Sequence, residues 1–177
     1  VYFPIDPAWL ALRDRYESCA ARRIVVSLGT GPTNRAGYLL AAEALAACGD
    51  RPVTYVLGYQ LAGSDLGDRI RQRRPDAAVV ASADLPEIMS TAALAVVAGG
   101  FIKLELAAAG VPAVILAGPE HQAVLARAFA ETGAADYAGR IDGTDAATVA
   151  QRAGALLDDR SRREAMSQTG RRLVDGL

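Results

Sequence analysis

Two glycine turns and one acid hold most of the chemistry open to this chain. Gly99-Gly100 follows the apolar run Ala93–Ala98 and leads into a short helix that carries Glu105. A strand passing through such a turn into a helix leaves backbone N–H groups at the positive end of the helix. That is a site for a phosphate or another anion. Glu105 stands among Phe101, Ile102, Leu104 and Leu106, where a carboxylate needs a reason to be kept. A second glycine turn, Gly29-Thr30-Gly31, ends another β-branched run, Ile24–Leu28.

The elements around these residues set how they meet. Apolar runs at Ile24–Leu28, Val53–Leu57, Ala77–Ala81, Ala93–Ala98 and Val111–Ala117 read as buried strands, with a sixth at Ala134–Tyr137. Helical patterns lie between them: Asn34, as N-cap, through Cys48; Asp65–Arg74; Leu85–Ser90, capped by Asp84; and Glu120–Thr132. Gly58–Gly67 reads as a loop, and two further helices, 145–157 and 161–173, close the chain. Near-continuously apolar strands alternating with helices argue for a parallel sheet covered on both faces. The expected fold is α/β, a doubly wound, Rossmann-like parallel sheet of about six strands. In the order 3-2-1-4-5-6 the first and fourth strands are neighbours at the switch point, so both glycine turns open onto one crevice. Residues 1–22 read as linker and leading helix, and 23–177 as the domain proper.

Composition removes several function classes. At 177 residues, 51% hydrophobic and 22% charged, the chain is ordinary globular material. A net charge of −1 gives no basic field for nucleic acid. No apolar run reaches the length of a membrane span. Cys19 and Cys48 match no metal or redox spacing and read as free thiols in a reducing cytoplasm. Val1–Pro7 reads as the interior of a longer protein, so a natural product well above 18.4 kDa is expected. Within the motifs, Gly29-Thr30-Gly31 starts a dinucleotide fingerprint whose third glycine falls at Asn34. The second strand ends Leu57-Gly58-Tyr59-Gln60, without the acid that would hold a ribose. There is no Walker loop and no nucleophile elbow, and a lone histidine, His121, makes a hydrolytic triad hard to assemble.

The segment Asp84–Gln122 resembles the donor-binding half of two-domain GT-B glycosyltransferases. It is most similar to peptidoglycan N-acetylglucosaminyltransferases and to the nucleotide-sugar hydrolases of pseudaminic-acid and spore-coat polysaccharide synthesis. The matching pieces are Leu85–Met89, Leu94–Ala98, Gly99-Gly100, Glu105, Gly110, Pro112, Val114–Leu116 and Glu120-His121-Gln122. The likeness reaches back to Ile24–Gly31.

The resemblance implies a nucleotide-sugar site, UDP-sugar foremost, in a cytoplasmic enzyme of cell-surface polysaccharide or glycoconjugate synthesis. Gly29, Thr30, Gly31, Gly99, Gly100 and Phe101 would approach the diphosphate, and Glu105 would accept hydrogen bonds from the ribose hydroxyls. Ala81, Ser82 and Leu85 would hold the base edge, while Glu120, His121 and Gln122 would face the sugar. It implies no metal and no resident cofactor. The catalytic base would come from an N-terminal lobe outside this chain, with His121 the candidate within it. One departure stands out: relatives follow the two glycines with a Ser or Thr that helps bind phosphate, whereas here stand Phe101 and Ile102. Lys103 offers a replacement charge for the phosphate, but it lies about 200° around the helix from Glu105, so a solvated surface lysine is the preferred reading over a phosphate ligand. Phe101 reads as packing against the helix below Glu105. The alternatives left open are nucleotide-sugar hydrolysis, a degenerate donor lobe serving as a non-catalytic module, and an oxidoreductase with an irregular dinucleotide loop.

Overall fold

The computed structural model describes residues 5–17, 22–81 and 84–175. Six strands form one sheet: β1 (Arg23–Ser27), β2 (Val53–Leu57), β3 (Ala78–Ala81), β4 (Ala92–Val97), β5 (Ala113–Ala117) and β6 (Asp136–Arg140). Their order is β3-β2-β1-β4-β5-β6 and every pair is parallel. This is the doubly wound arrangement expected from the sequence, with β1 and β4 side by side where the winding reverses. Cys19, expected as a free thiol, and Ser82, expected at the base edge, fall outside the described residues.

Apolar runs make the central strands β1, β2, β4 and β5 because neither of their faces meets water, whereas the edge strands β3 and β6 are partly exposed. Along β1, Ile24 and Val26 enter one core while Val25 enters the other, as the two-residue period of a strand demands. The first core is closed by α2 (Arg35–Ala46), α3 (Tyr59–Ala62), α4 (Leu66–Arg73) and α8 (Ala146–Asp158). The second is closed by α1 (Pro7–Arg15), α5 (Leu85–Met89), α6 (Ile102–Ala109) and α7 (Glu120–Glu131). The last helix, α9 (Arg160–Leu173), packs along α6. A Cβ added at its Gly170 would lie 2.9 Å from the Ala107 carbonyl oxygen.

The leading helix α1 is bound to this body. Trp9, Leu12 and Tyr16 are buried against the second core, and the Tyr16 hydroxyl donates to the Ala92 carbonyl at 2.7 Å. Asp6 caps α1 through its carboxylate, and Asp84, Asp145 and Asp159 cap α5, α8 and α9 in the same way.

Four local expectations are corrected. The leading helix, expected from its apolar spacing over Pro7–Ala21, ends at Arg15, because Tyr16 turns extended to place its ring in the core. Asn34 makes no capping bond: it closes a 3-10 turn, Pro32–Asn34, with helical backbone angles that leave its side chain for other partners. The glycine-rich stretch after β2 contains the short helix α3. The sixth strand begins at Asp136 rather than Ala134, and Asp136 is buried because Arg152 and Arg162 bond its two carboxylate oxygens at 3.0 and 2.8 Å.

Candidate functional site

A cavity of about 560 Å³ opens at the carboxyl ends of β1, β2 and β4, within the size range of small-ligand sites. Its position follows from topology: where the winding reverses, the loops leaving β1 and β4 diverge to opposite faces and leave a crevice. Gly29 and Thr30 form one wall, and Gly100, Phe101, Ile102 and Glu105 form the facing one. Gly58 and Tyr59 at the end of β2, Leu85 at the start of α5, and Pro119 and Gln122 at the start of α7 complete the rim.

The loop after β1 is held by a phenol. Tyr38, fully buried on α2, accepts from the Leu28 N–H at 3.0 Å and donates to the Val56 carbonyl at 2.7 Å, with the Gly29 carbonyl at 3.3 Å. One side chain thus ties the ends of β1 and β2 together beneath the cavity. Burial pushes its pKa up to about 12. Gly29 itself sits at a φ of +89°, the left-handed region where a side chain is strained. The approach of the two loops is close enough that a Cβ on Gly58 would lie 2.4 Å from the Thr30 Cα.

The glycines after β4 divide their work. A Cβ on Gly99 would meet the Gln122 carbonyl oxygen at 3.1 Å and the Ala117 Cβ at 3.3 Å, so its missing side chain lets α7 close down. A Cβ on Gly100 would meet nothing within 4 Å, and Gly100 faces the cavity. The N-cap residues of α6 and α7, Phe101 and Pro119, both line the cavity. Two helices of 8 and 12 residues therefore turn their positive ends toward it.

Glu105 is the one acid of the wall. It is half-buried, and desolvation, with Asp6 nearby as a second cause, raises its carboxyl above the ordinary range. Lys103 overturns the expectation of a solvated lysine. It is 8% exposed, and its Nζ donates to the Gly99 and Gly100 carbonyls, both at 2.9 Å. Phe101 does not pack below Glu105; it stands 66% exposed at the cavity mouth, as does Tyr59 at 69%.

Seven of the residues singled out from sequence thus share one cavity: Gly29, Thr30, Leu85, Gly100, Phe101, Glu105 and Gln122. Gly31, Ala81, Gly99, Glu120 and His121 lie outside its lining. The Glu120 carboxylate is bonded by Arg140, which also pairs with Asp142 at 2.6 Å. His121 is exposed on the first turn of α7. Tyr59 and Asn34 are among the lining residues that had no site role in the sequence reading. Tyr59 was hidden in what read as a plain loop. Asn34 stands where a dinucleotide fingerprint has its third glycine, and that substitution was the available signal. Its amide nitrogen would lie 3.2 Å from a Cβ on Gly29 and its amide oxygen 3.6 Å from one on Gly118, so it spans two loops at the cavity floor.

No protein-family model matches the chain. The spore coat polysaccharide biosynthesis protein SpsG of Bacillus subtilis (strain 168) is 28% identical over 181 residues, covering 99% of this chain and 53% of that protein. Among solved structures, MurG of Acinetobacter baumannii superposes with a TM-score of 0.68 at 20% identity, over 93% of this chain and 48% of its own. The spinosyn rhamnosyltransferase SpnG, complexed with thymidine diphosphate, gives a TM-score of 0.66 at 22% identity, over 94% and 43%. The chain spans about half the length of the curated relative it matches. In architecture, then, this chain has the Rossmann-like fold of one lobe of the GT-B glycosyltransferases.

Proposed function

We propose that this chain is the nucleotide-sugar-binding lobe of a GT-B-type glycosyltransferase that uses a UDP-sugar in cell-surface polysaccharide or glycoconjugate synthesis. The observation that carries the reading is the single cavity joining the Gly29-Thr30 loop, the Gly100 turn at the head of α6, and Glu105. Each part suits one piece of a nucleoside diphosphate. The helix ends and glycine backbone suit the diphosphate. The carboxylate suits a pair of ribose hydroxyls. Leu85, at the turn between β3 and α5, suits the flank of a base. Gln122 suits sugar hydroxyls, with the exposed Glu120 and His121 beside it. The polysaccharide role named for SpsG and the diphosphate named for SpnG agree with this class of ligand.

Transfer breaks the bond between the anomeric carbon and the diphosphate oxygen. The electron pair leaves with the diphosphate, an acceptor hydroxyl attacks the carbon, and its proton passes to a base. The ends of α6 and α7 would stabilise the charge growing on the leaving group. The base would come from a second lobe, so the chain alone binds donor without turning it over. Calorimetric titration with UDP and UDP-N-acetylglucosamine tests this: saturable heat is expected, and none at millimolar ligand refutes it.

A further inference from the structure

Lys103 is the only lysine in the chain, and it occupies a place where a cation is costly three times over. It lies in the first turn of α6, at the positive end of the helix dipole. It is buried, and desolvation disfavours its charged form. Among the described residues no carboxylate pairs with it; the wall's own acid, Glu105, makes no salt bridge to it. Among the described residues its hydrogen-bond partners are the two glycine carbonyls.

Those carbonyls fix the face that the turn shows to the cavity. In a planar trans peptide the C=O and N–H point in opposite directions. Drawing the Gly99 carbonyl inward to Nζ therefore turns the Gly100 N–H outward, and Gly100 borders the cavity. We propose that Lys103 is the positioning residue of an anion subsite at this turn. It orients the peptide that meets a diphosphate, and the bound diphosphate supplies the negative charge that this buried cation lacks in the protein itself. The proposal rests on the nucleotide-sugar reading above. It also gives a physical account of Phe101 and Ile102 standing where a hydroxyl was expected: the phosphate's support comes from charge beneath the turn instead of a hydroxyl on its surface.

Lys103→Met keeps the length and bulk of the side chain and deletes the charge. Titration of wild type and variant with UDP, UMP and uridine is expected to show a loss that grows with phosphate charge. The loss should be about tenfold or more for UDP, smaller for UMP, and within twofold for uridine; tenfold corresponds to about 1.4 kcal/mol. Equal losses for all three would mean that the lysine only holds the backbone, and no loss for UDP would remove it from the site; either overturns the proposal. A wild-type protein that binds no UDP overturns the nucleotide-sugar reading and this proposal together. Wild-type binding with an unaffected variant overturns this proposal alone. A second measurement does not depend on the variant folding. Because the chain has one lysine, 13Cε-lysine labelling gives one Cε signal, expected to move with UDP and stay still with uridine. A signal unmoved by saturating UDP overturns the proposal.

Discussion

Replacing Glu105 by Ala separates what this acid does for the fold from what it does for a ligand. The carboxylate is half-buried and Asp6 lies close enough to disfavour its charge, so its pKa is raised in the folded protein. A carboxyl with a raised folded pKa contributes stability only while protonated. That contribution is present below the ordinary glutamate pKa and is lost as pH rises through the folded one. At neutral pH the ionised Glu105 therefore costs the fold something, and Glu105→Ala is expected to leave Tm unchanged or raise it. Binding should move the other way. Hydrogen bonds to a charged group contribute about 1.5–3 kcal/mol each. Water competes at a half-buried site, so about 2 kcal/mol for the ribose pair is a fair allowance, equal to about thirtyfold in Kd. The assay is calorimetry with UDP and 2′-deoxy-UDP on both proteins. Wild type should discriminate between the two ligands by about tenfold, and the variant should not. A variant that binds UDP within twofold of wild type refutes the ribose role, whatever its stability.

Tyr38→Phe removes the hydroxyl shared by Leu28, Gly29 and Val56, leaving buried backbone groups unpaired at a cost of about 1–3 kcal/mol; a Tm lower by about 3–10 °C is expected in a thermal melt. The same residue gives an alkaline signature. Its folded pKa of about 12 exceeds the unfolded value of 10.0, so stability is whole below pH 10 and falls as pH rises toward 12. Urea midpoints at pH 9 and 11 should differ less in the variant. Gly58→Ala drives a Cβ into the backbone of Thr30, so a weakened UDP affinity by calorimetry together with a lower Tm is expected; wild-type values for both would show that the loops part freely. Asp136→Asn breaks the link from β6 to Arg152 and Arg162 far from the cavity. A melt should show a loss of about 2 kcal/mol, with UDP binding unchanged.

Most of the fold was legible because its signals are local and repeated. Runs such as Ile24–Leu28 and Val53–Leu57 are too apolar for a half-exposed sheet, and their alternation with helices leaves few topologies. The Gly99-Gly100 to Glu105 spacing was legible for the same reason, since the turn, the helix start and the acid lie within one short segment. What escaped the sequence depended on contacts between distant segments. Asn34 has the composition of a helix cap, and only the approach of the Gly29 and Gly118 loops gives its amide another use. Lys103 has the composition of a surface residue, and its burial follows from how the turn before it folds back. Tyr59 lay in a glycine-rich stretch whose single helical turn, Tyr59–Ala62, carries no periodic pattern to detect.

The strand order also decides when during folding the cavity can exist. Its two walls belong to β1 and β4, adjacent in space although β2, β3 and five helical segments intervene along the chain. Closing so large a loop is paid in chain entropy before the pairing returns any contact energy, which makes this junction a late event in a slow-folding topology. No hairpin-sized intermediate contains both walls. A nucleotide that binds here therefore binds only the finished fold, and by mass action it draws the whole domain, not one loop, toward the native state.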